Sequence, residues 1–124
     1  MARLLIADDD RALVSLLEAA LSPQGHEIVC AFNGDAAVAL ALDGKFDLIL
    51  LDVMMPALDG YRASRKIHEA LGENCPPILI MTARDVQLDG AARASAHALA
   101  AIQKPFTVPE IREKIRAALE RPGG

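Results

Sequence analysis

Six side chains in this sequence are of types that could do chemistry together: Asp8, Asp9, Asp10, Asp52, Thr82 and Lys104. Asp8 to Asp10 follow the apolar run Leu4-Leu5-Ile6-Ala7, Asp52 follows Leu48-Ile49-Leu50-Leu51, and Thr82 follows Ile78-Leu79-Ile80-Met81. Carboxylates gathered in one cleft repel each other. A pair about 4 Å apart costs on the order of 4 kcal/mol at an effective dielectric near 20, so cations must be present or some groups must stay protonated. Oxygen-only ligands call for a hard divalent ion, and a small cluster that leaves several positions to water suits Mg²⁺. With a metal on one side, Lys104 on the other and the Thr82 hydroxyl between, the site is shaped to hold a tetrahedral dianion beside Asp52. The Asp52 carboxylate can then act as a nucleophile toward phosphorus, giving an acyl phosphate, while the protein positions the groups and neutralises charge. Ala83, just beyond Thr82, leaves room for the incoming group.

These residues converge only if the chain brings the ends of its apolar runs together. Phe46 to Pro56 is the clearest stretch: four consecutive aliphatic residues run into Asp52, then Val53, Met54, Met55 and Pro56. A short run that is apolar at every position reads as a strand covered on both faces, at the centre of a parallel sheet. Leu4 to Ala7 is the first strand, Glu27 to Phe32 the second and Ile78 to Met81 the fourth. Between them, Leu13, Leu16, Leu17, Ala20 and Leu21 recur at helical spacing, with Asp10 as the cap and Pro23 and Gly25 as the stop. Asn33-Gly34-Asp35 reads as a turn before a short Ala-rich helix over Ala36 to Leu42, closed by Gly44. A third helix covers about Tyr61 to Leu71, with Gly72 at its end.

Asp85 to Gln103 is dominated by alanine. Continued alternation ends a helix near His97 and makes Leu99 to Gln103 a fifth strand, in preference to one long helix interrupted at Gly90. Thr107 and Glu110 form a capping box with Pro109 in the first turn, and Val108, Ile111, Ile115, Ala118 and Leu119 form the apolar stripe of the last helix. Strand and helix therefore alternate five times with short connections. That pattern dictates an α/β fold, (βα)5, with right-handed crossovers, a doubly wound parallel five-stranded sheet and a site beyond the carboxyl ends of the strands. Residues 1–121 form one domain, and 122–124 are a tail or the start of a linker.

At 124 residues the chain supports one core without disulfide or metal staples. The 52% hydrophobic content includes only 3% aromatic residues, so no platform for stacking bases or sugars is available. A net charge of -4 argues against a direct nucleic-acid surface. Cys30 and Cys75 have neither metal-ligand spacing nor a disulfide framework, which predicts a reducing, cytoplasmic setting. The longest stretch free of Asp, Glu, Lys and Arg is ten residues, too short for a membrane span, and no secretory signal precedes Asp8. His26, His68 and His97 share no ligand spacing; His97 suits a left-handed, helix-ending position. Met54 and Met55 read as loop packing.

The chain resembles a receiver domain of the bacterial two-component response-regulator family over essentially its whole length. The carriers are Leu5-Ile6-Ala7-Asp8-Asp9-Asp10, Leu50-Leu51-Asp52-Val53-Met54-Met55-Pro56 with Asp59-Gly60, Met81-Thr82-Ala83 and Lys104-Pro105-Phe106. The resemblance implies a flavodoxin-like sheet in the order 2-1-3-4-5. It implies that Asp52 is the phosphoacceptor for a histidine kinase or histidine phosphotransfer protein. Asp8, Asp9 and Asp52, with the backbone carbonyl of Met54, would hold Mg²⁺. Thr82 would hydrogen-bond the phosphoryl group, Lys104 would pair with one of its oxygens, and the Lys104-Pro105 bond would be cis.

Two departures stand out. The aromatic residue that the family usually carries three positions before the lysine is Ala101 here, and the usual acidic approach to it reads His97-Ala98-Leu99-Ala100. They leave phosphorylation intact and put relay through a Thr-aromatic couple in question. A downstream protein partner is expected at residues 85–121, where the helix from Asp85 has only Val86 and Leu88 as sizeable anchors. The function expected is thus a phosphorylation-controlled switch, not an enzyme beyond self-phosphotransfer and autodephosphorylation. The alternatives are a degenerate receiver that only docks proteins, and a Mg²⁺-dependent phosphatase, whose nucleophile motif wants a second acid where Met54 stands. A nucleotide-binding domain would need a Gly-rich turn in place of Asp8-Asp9-Asp10.

Overall fold

The computed structural model describes residues 2–83 and 90–120. Among these, five parallel strands, β1 (Arg3–Ala7), β2 (Glu27–Ala31), β3 (Leu48–Asp52), β4 (Ile78–Thr82) and β5 (Ala100–Gln103), form one sheet in the order β2-β1-β3-β4-β5. The helices are α1 (Arg11–Leu21), α2 (Gly34–Asp43), α3 (Gly60–Leu71), α4 (Gly90–Ser95) and α5 (Val108–Leu119). The alternation read from the sequence is therefore realised, and the fifth strand forms despite its alanines, starting at Ala100, one residue later than the Leu99 expected. As an edge strand, β5 needs its ladder with β4 more than intrinsic strand preference.

Residue parity along each strand divides the core in two. Leu4, Ile6, Leu48, Leu50, Leu79, Met81 and Ile102 pack with Val14, Leu17 and Leu21 of α1 and with Ile111, Ile115 and Ala118 of α5. Leu5, Ala7, Ile49, Leu51, Ile78 and Ile80 pack with Ala37 and Ala41 of α2 and with Ala63 and Ile67 of α3. Every residue of β3 is buried, as its unbroken apolar run requires.

Some local readings change. Leu16 does not belong to the α1 stripe: it is 54% exposed, and Val14 is buried instead. At about 100° per residue, Leu16 lies a quarter turn from Leu17, outside the arc that Leu13, Val14, Leu17 and Leu21 share. Asn33-Gly34-Asp35 is not a free turn. The Asn33 side chain accepts from Ala36 N–H at 2.8 Å and caps α2, which begins at Gly34. Gly34 is required there because a Cβ would stand 1.9 Å from the Leu58 carbonyl oxygen. Met55 packs as expected, but Met54, in the loop beyond β3, is 75% exposed and contributes no loop packing.

The Thr107–Glu110 capping box forms, and Asp10 caps α1 by accepting from Ala12 and Leu13 N–H. His97 has φ 62° and the Lys104-Pro105 bond is cis, as the sequence suggested. The expected anchors Val86 and Leu88, the start of the helix at Asp85 and the tail at 122–124 lie outside the described residues.

Candidate phosphoacceptor site

The strand registers form a staircase that assembles the site. Ala7 pairs with Leu51, which sets Asp8 level with Asp52; Asp52 pairs with Met81, which sets Thr82 one step further out. Thr82 in turn pairs with Gln103, so Lys104 is the first residue beyond β5. Asp8, Asp52 and Lys104 share the parity of the rows facing α1 and α5, and Thr82 shares that of the opposite rows. Three predicted site residues thus approach from one side of the sheet edge and one from the other.

Asp8 and Thr82 are each 1% exposed and Asp52 5%, so all are buried at the strand ends. Lys104 Nζ donates to Asp8 Oδ2 at 2.7 Å and lies 2.9 Å from Asp52 Oδ1. Asp8 Oδ1 accepts from Asp10 N–H at 3.0 Å, and its own N–H donates to the Ala31 carbonyl at 3.1 Å. Lys104 N–H donates to the Thr82 carbonyl at 2.6 Å, which fixes the lysine at the mouth of the sheet.

The loop beyond Asp52 is held equally closely. Val53 N–H donates to the Met81 carbonyl at 3.0 Å and Gly60 N–H to the Val53 carbonyl at 2.9 Å. A Cβ on Gly60 would stand 2.2 Å from the Asp52 carbonyl oxygen, so only glycine allows α3 to start this near the carboxylate. Asp59 caps the helix by accepting from Arg62 N–H at 2.9 Å. Within the loop, Leu58 N–H donates to the Pro56 carbonyl at 2.8 Å across Ala57, which has φ 69°.

Burial pushes the Asp52 carboxyl above its ordinary value; the hydrogen bond from Lys104 opposes this, and the Asp8 and Asp9 carboxylates reinforce it. For Lys104, burial favours the neutral amine, but its hydrogen bonds to Asp8 and Asp52 together outweigh that and hold the ammonium above the usual lysine range. Among the described residues the site is therefore short of positive charge, with one ammonium set against three acids.

Asp8, Asp9 and Asp52 each bring a carboxylate oxygen to within 4.8 Å of the others, and Asp9 is exposed. That donor set is all oxygen and open to water on one side, so it fits Mg²⁺. Asp10 is not in the cluster; capping occupies its side chain. Thr82 is buried at the adjoining strand end, and the Met54 side chain points to solvent.

Residues 4–116 match the response regulator receiver domain family, and the chain belongs to that family. It is a receiver domain, the switch module of two-component response regulators. Its relatives include the transcriptional regulatory protein CpxR of Escherichia coli K12, 38% identical over 98% of this chain and 50% of CpxR. The chain thus spans about half the length of the curated relatives it matches. In fold it is similar to a CheY-like receiver domain protein from Methanospirillum hungatei JF-1, with TM-score 0.89 and 26% identity over 97% of this chain and 94% of that one. It is also similar to the receiver domain of a sensor histidine kinase from Pseudomonas aeruginosa PAO1, with TM-score 0.87 and 28% identity over 97% and 98% of the two chains. That domain carries a magnesium ion coordinated in its active-site cleft. Among the described residues no helix is long and apolar enough to cross a membrane.

Proposed function

We propose that the chain accepts a phosphoryl group onto an Asp52 carboxylate oxygen from a phosphohistidine of a sensor histidine kinase or histidine phosphotransfer protein, in a Mg²⁺-dependent reaction. The observation that carries this reading is the Lys104 ammonium bridging Asp8 and Asp52 beside a three-carboxylate cluster that, among the described residues, has no second cation against it. In the transfer, an Asp52 oxygen forms a bond to phosphorus, the phosphorus–nitrogen bond of the donor breaks, and the leaving imidazole nitrogen recovers a proton from solvent. Asp8, Asp9 and Asp52, with the Met54 carbonyl, would hold the Mg²⁺, which supplies charge neutralisation as the phosphoryl group approaches. Lys104 supplies the second positive charge and exchanges a carboxylate for a phosphoryl oxygen. Thr82 offers its hydroxyl to another phosphoryl oxygen. Buried side chains around Asp52 limit water, which favours electrostatic stabilisation of the transferring group.

We further assign the chain no catalysis beyond this self-phosphotransfer and its own dephosphorylation, place it in the cytoplasm, and treat residues 1–121 as the switching unit. A downstream protein partner would read residues 85–121. Ala101 pairs with Ile80 between β4 and β5 and offers no ring to swing, so output there depends on the backbone and helices and not on a Thr-aromatic couple.

Incubation with acetyl phosphate or phosphoramidate and Mg²⁺ tests the assignment. Intact-mass measurement shows one added phosphoryl group, labile to hydroxylamine and absent from Asp52→Asn. Incorporation elsewhere, or unchanged incorporation in that variant, contradicts it.

A further inference from the structure

Arg11 directly follows the acidic triplet, two residues beyond Asp9, yet its guanidinium stays out of the acidic cluster. The guanidinium carbon lies instead 3.9 Å from the centroid of the Phe32 ring. Among the described residues no carboxylate stands within ion-pair distance of Arg11.

The strand register brings that ring to the edge of the site. Ala7 pairs with Ala31, which sets Phe32 level with Asp8 and on the same face of the sheet. Asp8 N–H donates to the Ala31 carbonyl at 3.1 Å, so the end of β2 runs beside the acidic loop. Phe32 packs partly buried against the core on the α1 side, and Arg11, the first residue of α1, covers its ring. The order β2-β1-β3-β4-β5 therefore gives the site one cation on each flank. Lys104 reaches into the cleft from the β5 side, and Arg11 is held outside it on the β2 side.

Arg11 has another place to go. It is exposed, as is Asp9, and two residues span at most about 7 Å, within reach of an arginine side chain. A cation over an exposed ring and an exposed guanidinium–carboxylate pair are worth similar amounts, so the ring is enough to decide where the guanidinium rests. Without it, three carboxylates facing one ammonium would draw the second cation in. Asp10 competes less, because its side chain is committed to Ala12 and Leu13 N–H. A guanidinium on Asp9 would occupy an oxygen of the candidate metal site and repel a divalent ion there. Arginine stays charged at any working pH, so deprotonation would not relieve that competition.

We propose that Phe32 is a positioning residue that parks the Arg11 guanidinium outside the acidic cleft and so keeps Asp8, Asp9 and Asp52 open to Mg²⁺. This rests on the Mg²⁺ reading of that cluster given above.

Amide NMR titrations of the full chain with MgCl₂ at low ionic strength test it through the metal's Kd, apart from any phosphorylation. Phe32→Leu keeps an apolar side chain of similar size and removes the ring face; it is expected to raise the Mg²⁺ Kd about two- to fivefold. Arg11→Gln, a comparable helix former, is expected to return the Kd to the parent value in the Phe32→Leu background and to change it less in the parent. An unchanged Kd in Phe32→Leu, a rise that persists in the double variant, or an equal gain from Arg11→Gln in both backgrounds would overturn the proposal. A parent chain that binds no Mg²⁺ would overturn the metal reading itself, and this proposal with it.

Discussion

Lys104 Nζ sits 2.9 Å from Asp52 Oδ1 and 2.7 Å from Asp8 Oδ2, so one ammonium compensates two buried carboxylates from different strands. Removing it leaves both acids under-compensated. Lys104→Met is expected to cost about 1–3 kcal/mol by urea denaturation in EDTA, below the usual cost of breaking a fully buried pair because the lysine is partly exposed. Mg²⁺ is expected to recover part of that loss, and a variant as stable as the parent in EDTA would contradict the role given to the lysine.

The raised Asp52 carboxyl has a definite sign. Its ionised form costs native stability at pH values above its shifted pKa, and the cost fades as pH falls through that value toward 3.8, the ordinary value. Asp52→Asn is therefore expected to raise Tm at neutral pH without Mg²⁺ and to lose that advantage on acidification. Lys104 works in the opposite range: its raised value contributes stability that is fully present below 10.5 and lost as pH rises through the shifted value. Thermal melts across pH check both limbs.

Gly60 lets α3 approach the Asp52 carbonyl where a Cβ would stand at 2.2 Å. Because the obstruction is backbone, it does not yield cheaply. Gly60→Ala is expected to destabilise the fold by about 1–3 kcal/mol and to weaken Mg²⁺ binding by displacing Asp52. Unchanged stability and unchanged Mg²⁺ affinity would remove glycine's role there.

Ala57 is the opposite case, a residue with a side chain at φ 69° in a tight turn. Ala57→Gly relieves the left-handed penalty while adding unfolded-state entropy, and a net gain of up to about 1 kcal/mol is expected. Denaturant midpoints measure it directly.

Much of this site was legible because the chain states it locally. Asp8, Asp52 and Thr82 each end or directly follow an apolar run, and the alternation of runs with amphipathic stretches dictates a parallel sheet whose strand ends coincide; Lys104 follows the weaker, alanine-rich fifth strand. Asp10 and the Thr107–Glu110 pair could be read as caps because capping needs only residues a few positions apart. What could not be read depends on three-dimensional approach. Gly34 looked like part of a turn because its neighbour Leu58 is distant in sequence. Leu16 is a different case: its spacing from Leu13 and Ala20 suits a helical stripe, but the buried arc is centred on Leu17 and takes in Val14 instead. The imidazoles of His68 and His97 stack across two helix ends that no sequence period relates. The bridging of Asp8 and Asp52 by Lys104 was foreseeable as proximity, but its geometry was not.

The most direct measurement of the central claim is a beryllofluoride titration followed by calorimetry, with and without Mg²⁺, on the parent chain and on Asp52→Ala. Saturable binding that requires Mg²⁺ and disappears in Asp52→Ala is the predicted result. Binding that needs no Mg²⁺, or that survives in Asp52→Ala, would contradict the assignment of Asp52 as phosphoacceptor.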